Sequence, residues 1–509
     1  MSRQTPFIPG RIQTMSLLRP LAVLGLLAGT VGAAQPLSLH PANPHYFLFR
    51  GKPTVIVTSG EHYGAVLNLD FDYGKYLGTL ARASLNGTRI WAGAYCEPAA
   101  AFNIASNTLA PLPGRFICPW ARSDEPGYAN GGNKFDLNKW DERYFKRLKD
   151  FMTAASQRGV IVEMNLFCPF YEDSMWRLSP MNAANNINGI GTVARTNVYT
   201  LDKHGGLLAV QEAMARRIIR ELKDFDNLYY ETCNEPYWGG VILEWQGHIA
   251  EVIAEAEREL GVHHLISWNV ANSNAKVAKP PLEVSIFNFH YATPPDAVAM
   301  NYELNKPIGD NETGFKGTRD AVYRMEGWDF IVAGGALYNN LDYSFVAGRE
   351  DGSFQYPPSQ PGGGSPELRR QLGYLKRVID RMDFIHMHPD NRMVKAELPA
   401  GATVRALVNE GKQYLVYLRT ALGEKPGGPA MKKSFGKGEL TLELTLPPGA
   451  YGCEWLDPVG CVEGHQEQFK HSGGARKLTT PAFNDDLALT LRRLSQEGAA
   501  RERSSSRRP

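Results

Sequence analysis

Between Thr54 and about Ile385, short runs of β-forming residues alternate with segments of helical periodicity. Several of the runs are apolar almost throughout, which is typical of strands buried on both faces of a parallel sheet. The runs cover residues 54–60, 87–93, 160–167, 227–234, 264–270, 284–291, 306–312 and 330–340. Eight such units with long loops are enough to close a barrel. The sequence therefore predicts an α/β fold, a (β/α)8 TIM barrel over residues 35–385.

Between the predicted strands, apolar residues recur at three- and four-residue spacing, which indicates amphipathic helices. One apolar stripe runs from Trp140 to Ala155, and the predicted helix ends at Gly159. Further helices are predicted over about 210–225, 249–260 and 366–381. The longest interruptions, residues 96–134 and 168–205, follow strand ends and are rich in Gly, Pro, Asn and aromatic residues. Loops in these positions build the active sites of barrels.

The pattern changes after a Pro- and Gly-rich stretch at residues 357–366. Residues 386–494 show short alternating runs separated by the turn sequences PGG, PPG and DPVG. This pattern predicts a C-terminal antiparallel β-sandwich domain. Because the domain contains Trp455, polysaccharide binding stays open as its role. The favoured role of the domain is packing against the barrel. Residues 495–509 are mostly polar or charged, which predicts a disordered tail.

The first 34 residues have the order of a secretory signal peptide. Three arginines and no acidic residue precede an apolar run from Leu21 to Val31, and Gly32, Ala33 and Ala34 follow. The run is shorter than the roughly 20 residues that a spanning helix needs, so we predict cleavage rather than a stable membrane span. The expected location is secreted or periplasmic, and Met15 is an alternative start.

Charge and cysteine content exclude several classes of function. The chain has 55 basic and 53 acidic residues without a basic face, so nucleic acid is not an expected partner. It has no CxxC or His/Cys cluster, so we expect no metal site. No cofactor is expected either. Six cysteines in an exported chain can form disulfides. Cys453 and Cys461 flank a turn and are the predicted pair.

Two glutamates stand at the ends of predicted strands four and seven. Glu235 lies in the segment YETCNEP, and Glu312 lies in the segment IGDNETG. Carboxylates at the carboxyl ends of barrel strands point into the barrel mouth, so the two can approach one another across a cleft. Glycoside hydrolysis needs such a pair, because one group protonates the leaving oxygen while the other attacks the anomeric carbon. A separation of about 5–5.5 Å gives retention, and about 6.5–9.5 Å gives inversion.

These paired motifs resemble those of the retaining glycoside hydrolases of clan A, the cellulase-like 4/7 superfamily. The resemblance covers roughly residues 45–385. It implies that Glu235 is the general acid/base, that Glu312 is the nucleophile and that Asn234 hydrogen-bonds the sugar 2-hydroxyl. Arg89 in GTRIWAG matches an arginine that supports the charge of the nucleophile. A nearby guanidinium favours the ionised carboxylate.

His290 and Tyr291 close predicted strand six, where the family often carries a His-x-Tyr whose tyrosine hydrogen-bonds the nucleophile. Here the two residues are adjacent. Successive strand residues point to opposite sides, so both face the cleft only if the strand has already ended. Tyr291 is the predicted contact of the nucleophile. After strand eight the chain has Tyr-Asn-Asn, where many cellulase-like members have a tryptophan.

Four further residues are predicted to line the sugar site. Glu61 and His62 follow strand one, Asn165 ends strand three, and Trp238 follows Glu235 in the chain. Imidazole can donate to a sugar hydroxyl, and an indole ring can stack on a sugar face. A purely structural hydrogen-bonding or packing role stays open for each.

Together these features predict an exported retaining glycoside hydrolase. Its expected partner is a carbohydrate substrate, a polysaccharide or oligosaccharide of the β-glucan or β-mannan type, cleaved at β-glycosidic bonds by double displacement. One alternative is an exo-acting β-glycosidase on short oligosaccharides. A second is a non-catalytic carbohydrate-binding protein, although such a protein has no need of an acid opposite a nucleophile.

Overall fold

A computed structural model describes residues 35–422 and 433–495. Eight strands form one sheet whose spatial order is 1-8-7-6-5-4-3-2, and all of its ladders are parallel. The predicted TIM barrel is confirmed. The strands are β1 Ile56–Gly60, β2 Gly87–Trp91, β3 Ile161–Phe167, β4 Leu228–Cys233, β5 Leu265–Asn272, β6 Ile286–His290, β7 Ile308–Thr313 and β8 Leu337–Leu341.

Helices follow every barrel strand except β5 and cover the outside of the barrel. Side-chain caps start three of them: Asp72 accepts from the Lys75 N–H, Asp141 accepts from the Arg143 N–H, and Ser365 accepts from the Leu368 N–H. The helices are α1 Tyr73–Arg82, α2 Glu142–Gln157, α3 Leu207–Leu222, α4 Leu243–Leu260, α5 Asp296–Asn301, α6 Asp320–Val332 and α7 Pro366–Asp380. A short helix, Asp173–Trp176, lies in the loop after β3.

One predicted strand is partly wrong. The sequence predicts an extended run over residues 330–340, but residues 330–332 form the last turn of α6 and β8 begins only at Leu337. Gly334, with φ +96°, ends the helix in a conformation that favours glycine. Because the residues on both sides are apolar and buried, composition alone does not separate this helix end from the strand.

The barrel closes between β1 and β2 mainly through side chains, since the described sheet has no ladder there. Asn86 Oδ1 accepts from the Val57 N–H at 2.9 Å, and Asn86 Nδ2 donates to the Val55 carbonyl at 2.9 Å. Thr58 Oγ1 donates to the Gly87 carbonyl at 2.6 Å. Gly87 permits this close approach, because a Cβ there would lie 2.5 Å from Ile56.

Two sheets form the predicted C-terminal sandwich, which is confirmed. Apolar side chains of both sheets meet in one core, including Val416, Leu444 and Leu489. The larger sheet contains, in spatial order, His388–Pro389, Thr403–Asn409, Gln413–Arg419, Asp486–Arg493, Gly449–Asp457 and Val462–His471. The smaller sheet contains Val394–Lys395, Thr441–Leu446 and Gly474–Thr479.

The other face of the larger sheet packs on α6 of the barrel. The Trp328 ring stacks on Tyr417 with centroids 5.4 Å apart. Arg324 Nη2 lies 2.8 Å from Asp486, and Asp329 accepts from Arg419 at 2.9 Å, all of them buried. The sandwich is therefore joined to the barrel by buried ion pairs as well as apolar contact.

The predicted Cys453–Cys461 disulfide is wrong. Cys453 pairs with Glu467 in the strand hairpin, whereas Cys461 lies in the turn, after the last paired residues, Asp457 and Val462. Both cysteines are free. From Cys453 to Asp457 the strand advances by four residues, which is about 13 Å. A disulfide needs the two Cα atoms within about 7 Å of one another. The turn brings the strands together, but in a register that keeps the two thiols apart.

Two predictions lie outside the described residues, the signal peptide at residues 1–34 and the tail beyond Ser495. Within the described ranges, no helix has the length and apolar character to cross a membrane. The predicted boundary at residues 385 and 386 falls between α7 and the first sandwich strand, His388–Pro389.

Candidate active site

Glu235 and Glu312 meet at the carboxyl end of the barrel. Glu235 follows β4 with φ +35°, a sparsely populated backbone conformation, and Glu312 lies on β7 beside a register shift in both neighbouring ladders. One oxygen of each carboxylate and Nδ1 of His290 lie within 4.8 Å of one another. Both glutamates are buried. The strand ends therefore bring together the two carboxylates that the sequence predicts.

Three side chains surround the Glu235 carboxylate. Tyr171 Oη donates to Oε2 at 2.7 Å, His290 Nδ1 lies 3.1 Å from Oε1, and Tyr237 Oη donates to Oε1 at 3.4 Å. Burial raises the pKa of Glu235, but the hydrogen bonds to His290 and Tyr171 outweigh it and leave the pKa below its usual value. Burial lowers the pKa of His290, but the negative charges of Glu312 and Glu235 outweigh it and raise that pKa. Both directions place the proton that the Glu235–His290 pair shares on His290 and leave Glu235 ionised.

Two donors hold the Glu312 carboxylate. Tyr291 Oη donates to Oε1 at 2.7 Å, and Arg89 Nη1 donates to Oε2 at 3.1 Å. Tyr291 has φ +55° and follows the last residue of β6, so the strand has ended before it. Adjacent His290 and Tyr291 can therefore both face the cleft.

Arg89 lies at the centre of a buried network beneath Glu312. It donates to Glu163 at 2.6 Å, to Glu231 at 2.6 Å and to Asn234 at 3.0 Å. Burial lowers the pKa of Arg89, but the charges of Glu163 and Glu231 outweigh it and raise that pKa well above its usual value. Sequence reasoning missed these two glutamates. The sequence feature that could have indicated them is an acidic residue inside an otherwise apolar buried strand, in β3 and in β4.

The remaining predicted site residues occupy different places. Asn234 lines the cavity beside the carboxylates and donates to Tyr171 at 3.0 Å. Asn165 lies below it, where its side chain donates to Glu231 at 3.1 Å. Trp238 is 52% exposed and does not line the cavity.

Glu61 is also outside the cavity lining, and its carboxylate holds a loop. It accepts from the N–H groups of Gly64 and Ala65 at 3.0 Å each and from Thr108 Oγ1 at 2.6 Å. Burial raises the pKa of Glu61 to about 7 against these hydrogen bonds. His62, the next residue, does line the cavity, with Nε2 3.2 Å from Glu97.

The cavity between the carboxylates is small, about 50 Å³. Larger cavities of about 670 and 530 Å³ lie elsewhere, on the hairpin Trp120–Pro126 and Asn133–Trp140 and on the sandwich, and neither includes these carboxylates. The small cavity is lined by His62, Tyr63, Trp91, Glu97, Phe102, Tyr171, Asn234, Glu235, Tyr291, Glu312, Phe315, Leu341 and Tyr343.

Several lining residues that sequence reasoning missed come from loops. Phe102 and Phe315 have φ +53° and +58°, and each is partly exposed at the cavity. Phe102 packs edge-on against Tyr171 at 5.3 Å, and Phe315 packs edge-on against Tyr291 at 5.8 Å. Loop aromatics have no periodicity, so only their location in long loops at strand ends could have indicated them.

Glu235, His290 and Glu312 are the one group in the described ranges whose spacing could hold a metal ion. Their carboxylate oxygens, however, already have protein partners in Tyr171, His290, Tyr291 and Arg89. The arrangement provides a carboxylate supported by a cation and, across the cleft, a carboxylate that shares a proton with histidine. Chemically, it can offer a nucleophile and a proton donor to one bond.

The sequence matches no protein-family model and no curated protein sequence. Solved structures do match. A candidate glycoside hydrolase from Bacteroides vulgatus is 12% identical, with a TM-score of 0.61, covering 92% of this chain and 84% of that one. A glycoside hydrolase of family 5 from the same organism is 12% identical, with a TM-score of 0.56, covering 90% and 93%. A third, a glycoside hydrolase, is 13% identical, with a TM-score of 0.57, covering 91% and 98%. The fold implied by the clan A resemblance is thereby confirmed: this chain shares the architecture of these glycoside hydrolase structures over nearly its whole length.

Proposed function

We propose that the protein is a retaining glycoside hydrolase that cleaves β-linked glycans by double displacement. The observation that carries this proposal is the pair Glu235 and Glu312, with carboxylate oxygens within 4.8 Å of one another. Retaining enzymes hold their carboxyl groups about 5–5.5 Å apart, whereas inverting enzymes leave about 6.5–9.5 Å for a water molecule. The short separation supports retention.

In the first step, a Glu312 oxygen attacks the anomeric carbon and forms the glycosyl–enzyme bond. The bond from that carbon to the leaving oxygen breaks, and the leaving oxygen takes a proton from Glu235. The shared proton reaches Glu235 along its 3.1 Å contact with His290. In the second step, ionised Glu235 takes a proton from water, and the water oxygen displaces Glu312 from the anomeric carbon.

The surrounding residues support these roles. Arg89 and Tyr291 donate to Glu312 and favour its ionised form, and Asn234 lies where it can contact the sugar beside the anomeric carbon. A β-glucan or β-mannan is the substrate type that we propose from the clan A resemblance. Export to the periplasm or medium is our proposal from the sequence of residues 1–34.

The stereochemistry of the first-formed product tests the proposal. Proton NMR during hydrolysis of β-linked gluco- and manno-oligosaccharides by purified enzyme is expected to show the β-anomer first, followed by slow mutarotation. If the α-anomer appeared first, the reaction would proceed with inversion, and double displacement would be ruled out. Binding of these glycans without turnover would favour the carbohydrate-binding alternative.

The pH dependence of kcat/KM tests the shared proton. Catalysis needs a proton on the Glu235–His290 pair, and it is lost as pH rises through the raised pKa of His290. We therefore expect the alkaline limb of the profile to lie above pH 6.5, the usual histidine value. Initial rates from pH 4 to 10 on one aryl glycoside measure it. An alkaline limb below pH 6.5 would contradict the sharing.

A further inference from the structure

Two loops join across one end of the cleft. The loop after β2 contributes Asn103, whose Nδ2 donates to the Ser359 carbonyl at 3.0 Å, and Ala105, whose N–H donates to Gln360 Oε1 at 3.0 Å. Ser359 and Gln360 belong to the loop between β8 and α7. Gln360 is buried. The same two loops carry Phe102 and Tyr343 of the cavity lining, so the joined loops lie on the β8, β1 and β2 side of the cleft.

The joined loops lie on the side of the sugar that stays on the enzyme. In the proposed reaction the leaving group departs on the side of the proton donor, Glu235, which follows β4. The walls at the opposite side come from Trp91 at the end of β2, His62 after β1 and Tyr343 after β8. The sugar attacked by Glu312 therefore lies toward the joined loops.

Three polar atoms in this wall have no hydrogen-bond partner within the described part of the chain: His62 Nδ1, Trp91 Nε1 and Tyr343 Oη. Their residues are 8%, 4% and 3% exposed. Buried polar groups in folded proteins are normally hydrogen-bonded, so these three groups around one cavity are available to a polar ligand. A sugar ring carries hydroxyls around its rim and can supply all three.

Resting on the proposed function, we infer that this end of the cleft is a blind pocket for one terminal sugar. His62, Trp91 and Tyr343 bind its hydroxyls, and the joined loops leave no path for a second residue of the chain. The enzyme therefore acts from the non-reducing end and releases one monosaccharide in each turnover.

Product analysis tests this directly. The probes are borohydride-reduced pentaoses of β-1,4-linked glucose, β-1,4-linked mannose and β-1,3-linked glucose, sampled before a tenth is consumed. We expect a monosaccharide and a reduced tetraose as the first products. Early di- or trisaccharides would overturn the blind pocket but leave the hydrolase standing. No cleavage of any probe would overturn the proposed function, and this inference with it.

A matched pair of variants tests the wall. Tyr343→Phe removes one unpartnered hydroxyl from the cavity, and Tyr46→Phe removes another that is buried away from it, against Phe384. We expect Tyr343→Phe to lower kcat/KM about tenfold, mostly through KM, because one hydroxyl hydrogen bond is lost. Tyr46→Phe is expected to leave both constants unchanged. Equal constants for the two variants would overturn the role of Tyr343.

Discussion

Glu312→Gln is expected to lower kcat by a factor on the order of 10⁶, as removal of an essential nucleophile does in other enzymes. The amide keeps the shape of the carboxylate but cannot form the glycosyl–enzyme bond. Glu257→Gln is the matched control. Glu257 is equally buried and hydrogen-bonds His264 at 2.6 Å, but it lies on α4 away from the cavity.

Initial rates of both variants, together with their unfolding midpoints, separate lost chemistry from lost structure. We expect Glu257→Gln to keep kcat close to the wild-type value even if its unfolding midpoint falls. A folded Glu312→Gln variant with wild-type kcat would remove Glu312 from the mechanism and leave the nucleophile unassigned.

Removal of residues 386–495 is expected to leave no soluble, cooperatively folded barrel. The deletion uncovers the outer side of α6 and leaves Arg324 and Asp329 without Asp486 and Arg419. Breaking a buried ion pair costs about 3–5 kcal/mol, whereas a whole protein is stable by about 5–15 kcal/mol. The loss of two ion pairs and of the apolar contact of Trp328 therefore removes most of the free energy of unfolding.

Two single substitutions test the same interface in the full chain. Arg324→Met breaks a buried pair, and Arg381→Met breaks the Arg381–Glu463 pair, which is about half exposed. In urea unfolding, we expect a loss of about 3 kcal/mol for Arg324→Met and less than about 1 kcal/mol for Arg381→Met. A soluble truncated barrel with a sharp unfolding transition would show that the sandwich is a separable appendage.

The sequence predicted the barrel because strand burial leaves a strong signal. β3 and β4 are apolar enough to be recognised, and their glutamates at positions 163 and 231 are exceptions that have a partner in Arg89. The Cys453–Cys461 prediction failed for a different reason. It depended on hairpin register, which the positions of turn residues alone do not determine.

The site was predicted where short motifs coincide with strand ends, as for Glu235 and Glu312. Glu61 shows the limit of this reasoning, because a polar residue after a strand can equally bind the backbone of its own loop. Phe315 and Tyr343 could not be predicted in this way, because their positions depend on how the long loops fold over the cleft.

The buried arginine network also has a consequence for the charge of acceptable sugars. The hydrogen bonds of Arg89 run to three glutamates and to Asn234, so its positive charge is already matched within the protein. The cavity itself is lined by Glu97, Glu235 and Glu312. A uronic acid or a sulfated sugar would place a further negative charge against these carboxylates, at a cost of about 1–4 kcal/mol at contact distance. For the proposed hydrolase, we therefore expect uncharged glycans to be preferred over uronic acids and sulfated sugars.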